Sequence, residues 1–259
     1  MKYISLVLLT MVLFNCNNVK KDVSEEKQTA QSVIDSSIII AGVDKLHTST
    51  IEFDFRNTHY LATRDKGIFS LERHFVDDKA MHLDTVSNVR DVVNNKGFQR
   101  YVNNFPMAVV DSMAVKYAAS VNSVHYFSVL PFGLNDNAVN KTLLEDVTIK
   151  QNTYKTVKVT FDQDGGGEDF EDVFMYWVNV ETNNVDFLAY SYNEVNGKGI
   201  RFREAFNERY IEGVRFVDYN NYKPKDHTVL LAELPQLFES GKLLLLSKIE
   251  LENIAVRLN

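Results

Sequence analysis

The chain reads as an α+β protein: a strongly curved antiparallel β-sheet of about ten strands, an unclosed half-barrel with helices over its concave side. Three observations carry this. Between residues 156 and 222, five runs rich in Val, Phe, Tyr and Trp are cut by Gly, Asn and Asp clusters. β-Branched and aromatic residues suit a pleated, half-buried surface, and the breakers supply turns. A second β-rich region fills residues 49–103. A single long helix-like stretch, residues 107–129, separates the two.

In Phe174-Met175-Tyr176-Trp177-Val178-Asn179-Val180, alternate residues point to opposite faces, and neither face is polar. Both faces of this hairpin are therefore expected to be covered, by packing, by a helix or second layer, or by a bound molecule. Asn183-Asn184 tolerates left-handed backbone and marks the reversal into Val185–Tyr192. The next strand carries Arg201, Arg203, Ala205, Asn207 and Arg209 on one face and Phe202, Glu204 and Phe206 on the other. That basic row either faces water or meets polar groups inside a cavity, because an isolated arginine is costly to bury.

Upstream, residues 30–42 read as a short helix stopped by Gly42. Ile51, Phe53 and Phe55 alternate with Glu52, Asp54 and Arg56; Tyr60, Ala62 and Arg64 share a face of the next strand; Asp65-Lys66-Gly67 turns the chain into a third. A break is expected at residues 94–97. Residues 107–129 have Val109, Met113, Val115, Ala118 and Val121 at helical spacing and read as one or two helices, ended by Pro131 and Gly133. Residues 233–242 suggest a short helical turn, and residues 243–256 one last strand. No fixed-period repeat occurs, which excludes a solenoid or propeller.

The N-terminus is a different kind of segment. Lys2 is followed by an apolar run to Phe14, the length of a signal h-region and too short to span a bilayer. Leu13-Phe14-Asn15-Cys16 closes it and resembles the lipobox of bacterial lipoproteins. That resemblance implies removal of residues 1–15, an acyl anchor on Cys16, and an exported, lipid-anchored protein of the cell envelope, at the periplasm-bounding outer membrane, in either leaflet. Cys16 is the only cysteine, so a disulfide framework and a thiol catalyst in the folded part are excluded. Residues 16–29 are polar and aperiodic, a flexible tether, and residues 30–259 form one domain with hydrophobic content (45%) ample for one core. With 28 basic against 35 acidic residues and no basic patch, a nucleic-acid partner is not expected.

Chemical motifs are sparse. Asp162, Asp164, Glu168, Asp169, Glu171 and Asp172 surround Gly165-Gly166-Gly167, but their spacing departs from the EF-hand pattern and an exposed hairpin loop has the same composition; no metal and no cofactor are expected. The six histidines (47, 59, 74, 82, 125, 227) form no zinc-protease motif, although His74 and His82 flank a turn and are placed to meet across it. There is no nucleophile elbow, and Ser120 and Ser123 do not share a helix face with His125 in the way a catalytic pair requires. The larger signal is aromatic: 17 Phe, 12 Tyr and one Trp, enough to wall a pocket as well as fill a core.

Asn122-Ser123-Val124-His125-Tyr126-Phe127 with Leu130-Pro131, Val159-Thr160-Phe161 with the glycine-rich loop, Tyr176-Trp177, Ala189-Tyr190-Ser191-Tyr192 and Arg201-Phe202-Arg203 together resemble a family of secreted bacterial lipoproteins without assigned activity. Some of its members carry a deoxyribose-phosphate aldolase label. Such an aldolase needs a parallel β/α barrel and a Schiff-base lysine, and this chain lacks the alternating helices. The order helix, meander, helical interruption, meander is also similar to LolA/LolB-type carriers, unclosed half-barrels that hold acyl chains. This resemblance implies an envelope protein that binds a hydrophobic or amphipathic ligand, with Tyr126, Tyr176 and Trp177 as wall, Arg201 and Arg203 at the polar head, and His125 nearby. Two alternatives stand beside it. One is a hydrolase or isomerase using Asp169, Asp172, His125 and the arginines. The other is a surface interaction module with an exposed apolar patch and no cavity.

Overall fold

The structure, a computed structural model, describes residues 28–77, 86–165, 170–194 and 197–259. The signal segment, Cys16, most of the tether, His82, Gly166, Gly167, Glu168 and Asp169 lie outside the described residues.

The opening helix α1 (Ala30–Ile40) is followed by a tight turn of 3-10 helix and six strands: β1 (Thr48–Phe55), β2 (Thr58–Asp65), β3 (Ile68–Asp77), β4 (Ser87–Asn94), β5 (Gly97–Val102) and β6 (Phe105–Met107). The long helix α2 (Asp111–Ser128) leads to β7 (Val139–Leu143), β8 (Val147–Ile149), β9 (Asn152–Phe161), β10 (Val173–Asn179), β11 (Val185–Glu194), β12 (Gly197–Ile211) and β13 (Val214–Lys223). A short helix α3 (Leu234–Glu239) and the strands β14 (Leu244–Ile249) and β15 (Glu252–Leu258) complete the chain.

All strand pairs are antiparallel. One sheet has the order β15-β1-β2-β3-β4-β5-β6 and the other β14-β13-β12-β11-β10-β9-β7, with β8 also paired to β9. The outer strands β6 and β7 do not pair, so the sheets do not close into a barrel. The α+β class and the unclosed antiparallel architecture match the sequence reading. The strand count does not: among the described residues, fifteen strands in two sheets stand where about ten in one were expected. The difference lies mainly in the short strands β6, β7 and β8 and at the C-terminus. Residues 243–256, read as one strand, bend at Glu250-Leu251 and give β14 to one sheet and β15 to the other.

The turns follow their residues. Asn183 takes φ 57° between β10 and β11, and the Asn179 side chain accepts hydrogen bonds from the backbone N–H of Glu181 and Thr182. Lys66 and Gly67 take φ 48° and 94° between β2 and β3. The long helix begins at Asp111 rather than at 107 because Phe105–Met107 pairs with β5.

Alternation along β10 sorts its side chains into two cores. Phe174, Tyr176 and Val178 pack with Val33 and Ile34 of α1 and with Leu130 and Leu134, while Met175 and Trp177 pack with Leu231 and Leu234 beside α3. Both faces of this sheet are covered, as its two apolar rows require. A third core joins Ile51, Phe53, Tyr60, Ala62 and Leu71 of the first sheet to Val121 of α2 and Val43 and Leu46. Each such side chain removed from water contributes about 1.5–3 kcal/mol.

Side chains set the helices. Thr29 caps α1: its hydroxyl accepts from the Ser32 N–H, and the Ser32 hydroxyl accepts from the Thr29 N–H. Gly42 ends that segment at φ 65°, where a Cβ would sit 2.0 Å from the Gly213 carbonyl oxygen. Helix α2 is clamped to the first sheet by fully buried Asp91, which is ion-paired to Arg73 (2.7 Å) and Arg100 (2.6 Å); Arg73 also reaches the Ser120 hydroxyl, and Arg100 lies over the Tyr117 ring. The seam between the sheets is polar. Buried Asp218 accepts from the Leu251 N–H (3.0 Å) and from Arg209 (2.9 Å), and Arg209 donates to the Leu251 carbonyl. Side chains there replace the ladder that the bend interrupts.

Candidate functional site

Between α2, the 129–139 loop and the inner faces of both sheets lies a half-enclosed cavity of about 1120 Å³. Aromatic rings from four separate parts of the fold wall it: Phe69, Phe127, Phe132, Phe161, Phe174 and Tyr190. α2 supplies one side with His125 and Tyr126, β2 another with Arg64, and β12 and β13 the floor with Arg203 and Tyr219. Ile249 and Leu251 border it at the seam.

Arg203 stands opposite Leu188 of β11 and Asn221 of β13, so the pleat directs it to the inner face. It is only 7% exposed. Its guanidinium carbon lies 3.8 Å from the centre of the Phe127 ring, with Tyr190 at 5.1 Å and Tyr219 at 5.9 Å. Nη2 donates to the Tyr190 hydroxyl at 2.8 Å, and Nε is buried with no hydrogen-bond partner. Among the described residues no carboxylate lies within ion-pair distance. Cation–π contacts recover part of the desolvation cost, about 2 kcal/mol for a desolvated pair, but do not satisfy the donors.

Arg64 repeats the pattern on the opposite wall. Its guanidinium carbon sits 5.0 Å from the Phe132 ring centre, its Nη1 is buried without a partner, and desolvation lowers its pKa to about 10. The signal for it was present in the sequence: Arg64 shares a strand face with the core residues Tyr60 and Ala62.

His125 is 1% exposed. Its Nε2 lies 2.9 Å from the Glu72 carbonyl oxygen, which can only accept, so the proton is on Nε2 and Nδ1 carries a lone pair with no partner. Burial pushes its pKa down to about 4, against the upward pull of the Glu72 carbonyl, and the ring is neutral at pH 7. Its edges meet Phe53 and Tyr60. Among the described residues no carboxylate is hydrogen-bonded to it. Asp172 borders the same cavity, and Asp169 lies outside the described residues.

The remaining expected site residues divide. Tyr126 and Tyr176 meet, hydroxyl to hydroxyl, at 2.7 Å, and burial raises both phenol pKa values; Tyr126 borders the cavity and Tyr176 lies behind it, completely buried. Trp177 does not join them. It points to the opposite face of β10, 5.6 Å from the Phe202 ring, because adjacent strand residues alternate. Arg201 is half-buried, donates to the Ile200 carbonyl and lies 5.2 Å from the Tyr192 ring centre, outside the cavity lining. The basic row of β12 thus has three fates: Arg201 near Tyr192, Arg203 in the cavity, and Arg209 paired with Asp218 beyond a register shift at 206–209. Sequence reasoning missed Arg64, Phe127 and Tyr219, which reach the cavity from three distant elements.

Among the described residues no group of three His, Cys, Asp or Glu is arranged to hold a metal ion. Asp162 accepts from Asn140, and Glu171 from Asn193. His74 faces His59 across β2 and β3, with ring centres 5.9 Å apart, and is held by Glu72; the expected partner His82 lies outside the described residues. Among the described residues no helix is long and apolar enough to cross a membrane.

Residues 2–251 match a family described as a family of unknown function, DUF6503. The chain belongs to that family. No curated protein matches this DUF6503 protein. Among solved structures it is similar to a LolA superfamily protein of Nitrosomonas europaea, at 12% identity over 89% of this chain and 94% of that one, with a TM-score of 0.43. It is also similar to a DUF1329 family protein from Desulfovibrio piger, at 9% identity over 87% and 92% of the two chains, with a TM-score of 0.39.

Proposed function

We propose that this DUF6503 protein is an exported bacterial envelope protein, anchored in the outer membrane through acylated Cys16, that binds a hydrophobic or amphipathic ligand in its cavity. The observation that carries the reading is the cavity itself: about 1120 Å³ of room walled by rings from both sheets and α2. Pockets for drug-sized ligands span about 300–1,000 Å³, are mostly apolar and hold a few placed polar groups. This one has that composition, with Arg203, Arg64 and His125 as the polar groups. The apolar part of a ligand gains by burial against Phe127, Phe161, Phe174 and Tyr190, and its polar end meets the guanidinium of Arg203.

The test is native mass spectrometry of protein purified without detergent, joined to displacement of a neutral apolar fluorophore by long-chain amphiphiles. Co-purifying lipid-sized adducts and saturable displacement support the reading. A bare mass from several hosts, with no displacement by any amphiphile, overturns it. For the anchor, Cys16→Ala should release the protein from the membrane fraction; full retention of that variant overturns anchoring at this residue.

A further inference from the structure

We infer that the ligand of this cavity is anionic, carrying a carboxylate or phosphate head that the unpaired guanidinium of Arg203 receives, with Arg64 as a second cationic wall. The inference rests on the proposed binding function and names the ligand's charge. The cavity places two arginines among aromatic rings, and neither has a carboxylate within ion-pair distance among the described residues. This is not for want of acidic partners elsewhere in the fold. Arg73 and Arg100 share buried Asp91, Arg209 has Asp218, and Arg215, only 4% exposed, has Asp186 and Glu208. Among the described residues, buried Arg203 and half-buried Arg64 stand apart from these paired arginines.

An uncompensated buried cation is expensive, and the cost falls when an anion pairs with it. Arg203 spends one donor on Tyr190 and leaves Nε without a partner; Arg64 leaves Nη1 without one. Both planar forks suit a carboxylate or phosphate. Asp136 and Glu171 also border the cavity, and among the described residues neither is ion-paired to Arg203 or Arg64. Burial raises the Asp136 carboxyl above its ordinary pKa, so the low-dielectric side of the cavity disfavours negative charge that has no cation beside it. A neutral ligand would leave the donors unmet, and a cationic one would add like charge to a site that already holds two cations.

Four single-chain amphiphiles with the same alkyl chain test this: a fatty carboxylate, an alkyl phosphate, the fatty alcohol and the alkylammonium. Each competes, as monomer, with a neutral apolar fluorophore. At least one anion should bind about tenfold tighter than the alcohol, the loss expected for one charge-assisted hydrogen bond, and the ammonium should bind weakest. Which anion leads identifies the head as carboxylate or phosphate. Arg203→Met and Arg64→Met should each shrink the ratio of anion to alcohol affinity, and Arg203→Lys should retain part of it. A cooperative unfolding transition reported by Trp177 shows that each variant is folded. Equal binding of alcohol and both anions, or a preference that survives both Met substitutions, overturns the inference and leaves the binding function standing. Failure of all four to displace the probe removes both.

Discussion

Mild acid should loosen this protein through one imidazole. His125 has an ordinary pKa of 6.5 and a folded value of about 4, lowered first by burial and further by the nearby Arg64 charge. A group whose folded pKa is depressed in this way binds its proton more readily in the unfolded chain, so stability rises with pH between the two values and is lost as pH falls through them. At about 1.4 kcal/mol per pKa unit, the full window is worth about 3 kcal/mol, and about 2 kcal/mol of it is gone on going from about pH 7.5 to about pH 5. For a chain of this length that lowers the midpoint of thermal unfolding by roughly 4–8 °C. Trp177, the only tryptophan and 1% exposed, reports the transition by fluorescence. The comparison is with His125→Gln, whose amide can still donate to the Glu72 carbonyl but has no proton to take up. The Asp54 carboxylate, hydrogen-bonded by Asn253 and His59, and the Glu72 carboxylate, hydrogen-bonded by His74, are held below their ordinary values, so their acid sensitivity falls at lower pH. If the wild type and the variant lose the same stability over this interval, the buried neutral imidazole is not the acid-labile element and the reasoning fails.

Asp91→Asn strips the charge that compensates Arg73 and Arg100 beneath α2. It should cost about 3–5 kcal/mol in urea unfolding, and a loss below 1 kcal/mol would contradict the clamp. Tyr176→Phe leaves the Tyr126 hydroxyl without its 2.7 Å partner, for an expected loss of about 1–3 kcal/mol. The double Phe variant should lose less than the sum of the two single changes, and strict additivity would show that the hydroxyls do not interact. Gly42→Ala drives a methyl to within 2.0 Å of the Gly213 carbonyl at a left-handed backbone position, so soluble yield and melting temperature should both fall sharply; a wild-type melt would refute the close approach.

Much of the fold was legible because its signals are local. Alternation in 173–180, Asn183-Asn184, Lys66-Gly67 and the Gly42 stop each specify backbone through nearby residues, and each stands where the sequence placed it. The two apolar faces of β10 also foretold a layer on each side, though not that α3 would supply one of them. What was hidden depends on distant pairing. Nothing local in Lys248-Ile249-Glu250-Leu251 tells that the chain changes sheets there, because the bend is held by Asp218 and Arg209 from another hairpin. The site follows the same division. Arg203 was singled out by its strand face, and His125 and Tyr126 by the carrier-like resemblance; all three border the cavity. Trp177 was grouped with Tyr176 by sequence adjacency, which in a strand means opposite directions. Arg64 carried a fair clue, but only the docking of β2 beside Phe132 turns it into a cavity residue.

The bend between β14 and β15 makes the end of the chain a clasp. A cut after Ile249 would unzip β15 from β1, baring a row of backbone donors and acceptors along an eight-residue margin that invites self-association. The same cut would take away Leu251, which holds Asp218 and Arg209 and stands beside Ile249 at the cavity's edge.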